Sequence, residues 1–271
     1  MTYVKEYMYH CFMSSCIVHI ISVRTKLVIM SCTLLVCAVS VLAIVSCASG
    51  GSAPAVNYDM AKVYLAPQVP VPGQSGDFWN GLSGSVVNRH PWIGGPADAN
   101  GIFYMAADAH TFFVRMEIKD CAPQTRPLDM DPSISWDGTS LQVFFGTKLD
   151  RRTEYADGDF GLSFWVVQEE PGNPDSLKVR VAKGRQLNER QYKSAVVEWK
   201  EDSYIIEASF SLDMLGIYKP FKAGQRVRCE FRINHAKKGE PRSVIVNWRT
   251  PTDDAWRNPT TWSEGIVEKK P

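Results

Sequence analysis

At 271 residues the chain has room for one large domain or two small ones, and 45% hydrophobic residues with ordinary Gly and Pro content describe a globular protein rather than a disordered one. Its 30 Lys and Arg stand against 29 Asp and Glu, a net charge of +1; Lys5, Arg24, Lys26 and Glu6 lie in the first 46 residues, leaving 27 bases against 28 acids beyond them. So even a balance, without a basic stripe, excludes nucleic acid as a natural partner, because that affinity comes mostly from Lys and Arg meeting phosphates.

The first element in chain order is a targeting segment, residues 1–46. Arg24 and Lys26 precede an apolar run from Leu27 to Val45 that closes on Ile44-Val45-Ser46-Cys47. A positive flank, an apolar stretch and a small residue before the break form a signal-peptide pattern. A Cys directly after that small residue resembles the bacterial lipoprotein signal, in which the Cys receives the lipid. With Ile and Val at the two positions before Ser46, the match is loose in the manner of spirochaete lipoproteins. The resemblance implies lipidation at Cys47 and a membrane anchor, on the periplasmic face or the cell surface, with residues 47–57 (Gly-, Ser- and Ala-rich) as a tether. A run of about 20 apolar residues is also long enough to span a bilayer. An uncleaved anchor is therefore the second reading and a cleaved soluble protein the third; all three place the remainder outside the cytoplasm.

Of seven cysteines, four precede Cys47, and only Cys121 and Cys229 follow it. An oxidising compartment permits those two to pair. The alternative, and the preferred one, is two small buried hydrophobes.

Residues 58–271 read as one domain with its core over roughly 90–268, preceded by an extended lead-in with a strand signal at Ala61–Leu65. Period-two and β-branched runs then recur between turn residues. Thr111–Lys119 alternates, with Phe112, Val114, Met116 and Ile118 on one face. Leu141–Phe145, Phe160–Gln168, Lys178–Ala182, Ser194–Trp199, Tyr204–Phe210, Arg226–Asn234 and Ser243–Trp248 follow, with Ile266–Val267 as a terminal strand. Only Leu212–Gly216 looks helical, as a single turn ended by Gly216. Short strands without crossover helices argue for an all-β, antiparallel β-sandwich, jelly-roll-like, with one short helical turn.

Chemistry-bearing patterns are few. His90, His110 and His235 have no metal-ligand spacing, and Gly81-Leu82-Ser83-Gly84-Ser85 misses the final glycine of a nucleophile elbow. A glycosidase needs two carboxylates flanking a cleft, and nothing singles out two of the acids. No enzyme is expected. Tryptophan is more informative: all eight follow Cys47. Trp165 and Trp199 sit in strand patterns and read as core. Trp136 and Trp256 lie in polar, turn-rich loops, where an indole either plugs the end of the sandwich or meets a ligand. Sugar rings carry apolar C–H faces that pack on indole, while polar groups around them read the hydroxyls.

From Ile102 to Val267 the chain resembles the family 9 carbohydrate-binding modules and their relatives among the DOMON-like sandwiches. Thr111-Phe112-Phe113-Val114-Arg115-Met116-Glu117-Ile118-Lys119-Asp120 is similar to the family's alternating strand closed by Asp. Trp136-Asp137-Gly138-Thr139-Ser140-Leu141-Gln142-Val143-Phe144-Phe145 is similar to its Trp, turn and strand. Tyr204–Phe210, Phe231-Arg232-Ile233-Asn234 and Pro259–Val267 continue the order. The resemblance implies a sandwich that clamps the end of an oligo- or polysaccharide between two tryptophans, here Trp136 and Trp256, with Asp253 and Asn258 as hydroxyl partners. Gln142 stands where the family usually has Glu, which removes a charged acceptor. Structural calcium is common in the family; Asp157 and Asp159, or Asp129 and Asp131, are the oxygen donors for it here.

The leading expectation is a lipoprotein with a non-catalytic carbohydrate-binding sandwich. The alternative is a structural or protein-interaction lipoprotein that lost the sugar and meets a protein partner. A haem-binding sandwich of the same broad group is the third reading and needs axial ligands such as His110, His235 or Met.

Overall fold

Alternation along each strand sorts its side chains between the core and an outer face. In β4 (Thr111–Asp120), Phe112, Val114, Met116 and Ile118 are all buried in one hydrophobic core. A computed structural model of the protein describes residues 60–89, 99–150, 152–184, 186–187, 192–236, 241–242 and 244–271. The targeting segment, Cys47, the tether, His90 and Trp92 lie outside the described residues.

The remaining strands are β1 (Ala61–Leu65), β2 (Ser85–Val87), β3 (Ala99–Ala107), β5 (Ser140–Gly146), β6 (Asp159–Gln168), β7 (Leu177–Lys183), β8 (Gln186–Leu187), β9 (Tyr192–Trp199), β10 (Ser203–Ser211), β11 (Arg226–His235), β12 (Val244–Asn247) and β13 (Ser263–Lys269). They hydrogen-bond in the order β8-β7-β6-β5-β11-β13-β1-β3-β4-β10-β9, with β12 on β11 and β2 on β3. The sheet folds back on itself until its ends approach, and Ser194 Oγ of β9 donates to the Val179 carbonyl of β7 at 3.1 Å. The result is the expected all-β sandwich, nearly closed into a barrel. Its layers meet through aromatic pairs such as Phe103–Phe231 and Phe112–Phe145, each with centroids 5.1 Å apart.

Pairing is antiparallel except at β1, which runs parallel to both β13 and β3. The Leu212–Gly216 turn forms, with Gly216 at φ +77°. Further 3-10 turns occur at Gly76–Trp79, Pro132–Ile134, Pro174–Ser176 and Pro259–Thr261; the last three each have Pro in the first turn and an Asp or Asn side chain capping it.

The segment after β1 is fastened to the outer face of β4 and β10. Fully buried Glu207 accepts from Gly73 N (2.8 Å), Ser75 Oγ (2.5 Å) and Arg115 Nη1 (2.7 Å). Trp79 packs there against Phe113, 5.4 Å between centroids.

Candidate functional site

The opposite face is built differently. Inward residues of β5, β6 and β11 (Leu141, Val143, Phe160, Leu162, Phe231, Ile233) fill the core, and the outward ones mix polar side chains such as Gln142, Ser163 and Arg232 with the apolar Phe144, Trp165 and Val167. Register places Gln142 opposite Ser163 on β6 and opposite Arg232 on β11. With Phe144 and Gly161 these residues floor a cavity of about 680 Å³, and Trp136, Trp256, Tyr155, Asp253, Arg242 and Lys183 are among those around it. Gly161 keeps the floor low, since a Cβ there would come within 3.2 Å of both Phe144 and the Tyr155 hydroxyl.

Both loop tryptophans border this cavity. Trp136 is 44% exposed and Trp256 55%, whereas Trp79, Trp165, Trp248 and Trp262 are buried. Trp136 follows the 3-10 turn capped by Asp131 and precedes Gly138 (φ +141°), where the Arg126 guanidinium fills the space a Cβ would take. The Arg242 guanidinium lies 5.0 Å from its ring centroid. Trp256 is held through its backbone: the Tyr155 hydroxyl donates to its carbonyl at 3.1 Å. Its neighbour Ala255 is fully buried and accepts from Trp262 Nε1 at 2.8 Å. The polypeptide is pinned while the indole stays at the surface.

Charged residues on the outer positions of β11 carry the rest. Glu230, fully buried, accepts from Trp248 N, Arg249 N, Thr250 N and Thr250 Oγ1 at 2.8–3.0 Å. Burial pushes its carboxyl above the ordinary range, against those four bonds, which favour the charged form. Asn247 Nδ2 donates to the Thr250 and Thr252 carbonyls. Together they fix the segment that delivers Asp253 and Trp256.

Arg232, 1% exposed, donates through Nε to Asn247 Oδ1 (2.9 Å) and through Nη1 to Asp253 Oδ1 (2.5 Å), while Nη2 has no hydrogen-bond partner. Burial lowers its pKa, and Asp253 works the other way. Gln142 Nε2 donates to Ser163 Oγ at 3.1 Å, leaving Oε1 buried and unbonded. The cavity therefore offers two exposed indoles beside polar and charged side chains, among them Ser163, Lys183, Arg242 and Asp253, the equipment for an amphipathic ring rather than a purely apolar ligand.

The model of the carbohydrate family 9 binding domain-like family matches residues 71–270. The chain belongs to that family. Its fold is similar to a family 9 carbohydrate-binding module from Caldicellulosiruptor kristjanssonii solved with cellotriose (TM-score 0.59, 18% identity, 78% of this chain and 95% of that one). A module from the same organism solved with glucose is similar to the same degree (TM-score 0.57, 20% identity, 78% and 97%). No curated protein matches the chain.

In this family 9 domain, Trp136, Trp256, Gln142 and Asp253 line one cavity. Asn258 does not; its Oδ1 accepts from Thr260 N (3.1 Å) and Thr260 Oγ1 (2.6 Å) and caps the turn before β13. The Asp253 carboxylate, 32% exposed, accepts from Arg232 Nη1 and Arg242 Nη2 and keeps lone pairs for a further donor. Tyr155, Ser163, Lys183, Arg232 and Arg242 line the cavity without having been singled out from sequence. For Arg232 a signal existed, the run Arg228, Glu230, Arg232, Asn234 on every second position of a strand whose other positions are apolar.

Asp157, Asp129 and Asp131 are exposed, Asp131 caps a turn, and Asp159 accepts from Ala156 N through Oδ2 while its buried Oδ1 has no hydrogen-bond partner. Among the described residues none of them joins a group of three acidic, His or Cys side chains. Cys121 and Cys229 are not disulfide-bonded. Cys229 is fully buried in the core, where burial raises its thiol well above the ordinary range. Cys121 is exposed, with Sγ 3.9 Å from Nε2 of buried His235, whose Nδ1 lies 2.9 Å from Asp120 Oδ1. The two histidines named for a haem stand apart: His110 precedes one end of β4, and His235 lies against Asp120 at the other.

Proposed function

We propose that this chain is an exported lipoprotein whose family 9 domain binds carbohydrate and breaks no bond. The observation that carries the reading is the shared cavity: two exposed indoles border one floor together with polar and charged side chains. The indoles supply stacking surface for a sugar's C–H face, and the polar side chains that line the cavity with them meet its hydroxyls. The solved neighbours hold cellotriose and glucose, which supports the same class of ligand here. Hydrolysis of a glycosidic bond uses a pair of carboxylates; Asp253 is the cavity's one carboxylate among its described lining residues and is tied to two arginines.

A glycan array probed with the full-length chain tests this. Binding to oligosaccharides is expected; a folded protein that retains no glycan contradicts the reading and favours a protein partner. For the anchor, Cys47 takes the lipid and the residues behind it act as tether. Cys47→Ala in a bacterial host is expected to abolish incorporation of labelled fatty acid. Undiminished label in that variant rules out lipidation at Cys47.

A further inference from the structure

A second cluster of chemistry-bearing side chains lies outside the cavity. Asp120 is the last residue of β4, Cys121 follows it, and His235 is the last residue of β11. Three strands separate β4 from β11 in the sheet order, so their ends meet only because the sheet folds back on itself. A carboxylate oxygen, the thiol sulfur and a ring nitrogen there all lie within 4.8 Å of one another. His235 Nε2 is 3.9 Å from Cys121 Sγ, and His235 Nδ1 is 2.9 Å from Asp120 Oδ1.

An acid, an imidazole and a thiol can serve either as a proton relay or as a set of ligands. In a relay the acid bonds one ring nitrogen and the nucleophile the other, so the ring stands between them. Here the carboxylate and the sulfur are themselves neighbours, which is how ligands converge on one centre. Zinc lies about 2.0–2.3 Å from N, O and S donors, which sets the donor atoms of a tetrahedral site roughly 3.3–3.7 Å apart. The spacing of the trio is close to that.

Two of the three are held in place before any ion arrives. Asp120 and His235 are fully buried and paired in register with Ala99 and Val244. Asp120 Oδ1 accepts from Ala122 N at 3.0 Å, which orients the carboxylate and leaves Oδ2 buried without a hydrogen-bond partner. A buried acceptor left unmet is costly, and a cation beside it removes that cost. Cys121 is exposed, which gives an ion a route from solvent and a place for water as fourth ligand.

We infer that Asp120, Cys121 and His235 bind a divalent cation of the zinc class. Thiolate and imidazole suit such an ion, whereas calcium takes only oxygens. The bound ion ties the end of β4 to the end of β11, and its site is separate from the sugar cavity.

The test adds Zn2+ or Co2+ to the full-length chain in detergent with its thiols reduced. Zinc is expected to raise Tm, by binding the folded state alone, and cobalt to give a thiolate-to-cobalt charge-transfer band. X-ray absorption of the zinc-loaded protein is expected to show one sulfur among nitrogen and oxygen ligands, with the outer-shell scattering of an imidazole. Because Cys11, Cys16, Cys32, Cys37 and Cys47 stand in the same chain, Cys121→Ser is the control. At that exposed position the variant keeps its fold, and it is expected to lose the band and at least tenfold in zinc affinity. No band in the wild type, a band unchanged in Cys121→Ser, or a zinc shell with two or more sulfurs or without imidazole overturns the inference. The absorption spectrum reads the histidine in the wild type, so the result does not depend on a variant of buried His235.

Discussion

Trp256→Ala is expected to weaken sugar binding ten- to a hundredfold, about 1.4–2.8 kcal/mol, and Trp136→Ala to do the same, with the folded state unchanged. The separation of the two effects follows from exposure. Each indole has 44% or more of its surface in solvent and belongs to none of the buried clusters, so little packing is lost when it is removed, and surface substitutions usually shift stability by within about 0.5 kcal/mol. Trp262 makes the contrast. It is buried with Phe144 and Ala255, lies 6.0 Å from the Phe144 ring, and holds the Ala255 carbonyl. Trp262→Ala is expected to cost about 3–5 kcal/mol of stability. Titration with the sugar that gives the strongest array signal, alongside thermal unfolding, separates the two classes. Wild-type affinity in both loop variants would mean that the indoles do not hold the ligand.

Glu230→Ala is expected to be the most damaging single change near the site. It removes the acceptor that three backbone N–H groups and the Thr250 hydroxyl share; Trp248 N keeps the Phe231 carbonyl (2.9 Å) and Thr250 Oγ1 the Thr261 carbonyl (2.8 Å), so the loss falls on the N–H groups of Arg249 and Thr250. Unmet buried donors cost roughly 1–3 kcal/mol each, and because the losses overlap a total of about 3–5 kcal/mol is expected. For a domain of this size that is a fall in Tm on the order of 10 °C. Glu230→Gln does not rescue it: the amide offers one acceptor and places a donor against donors. Since the same carboxylate fixes the segment leading to Asp253 and Trp256, sugar affinity falls with stability. A Glu230→Ala protein with wild-type Tm would show that the loop is held by other contacts.

Much of the fold is legible in the sequence because one face of most strands is buried and the other is not. β4, β5, β6 and β10 were bounded to within about two residues by their alternation alone. β3 escaped because Ala99, Gly101, Ala106 and Ala107 give little contrast between faces, and because the segment carrying Trp79 covers part of its outer side. The parallel placement of β1 was hidden for a different reason: its partners β13 and β3 are set by long-range pairing that no local pattern encodes.

At the site, the tryptophans were conspicuous as large apolar groups in polar loops. Arg232 and Glu230 were not, since charged residues in a strand ordinarily signal a solvated face; here loops from both flanks cover that face and bury them. Asn258 misled because a polar side chain beside a tryptophan reads equally as ligand partner or as cap, and the Pro that follows it decides for the cap.

The most direct measurement is a crystal structure of the protein with its bound sugar. The account predicts a pyranose ring in contact with both Trp136 and Trp256, with its hydroxyls within hydrogen-bond distance of polar side chains that line the same cavity. A sugar seated on any other surface, or one that touches neither indole, contradicts it.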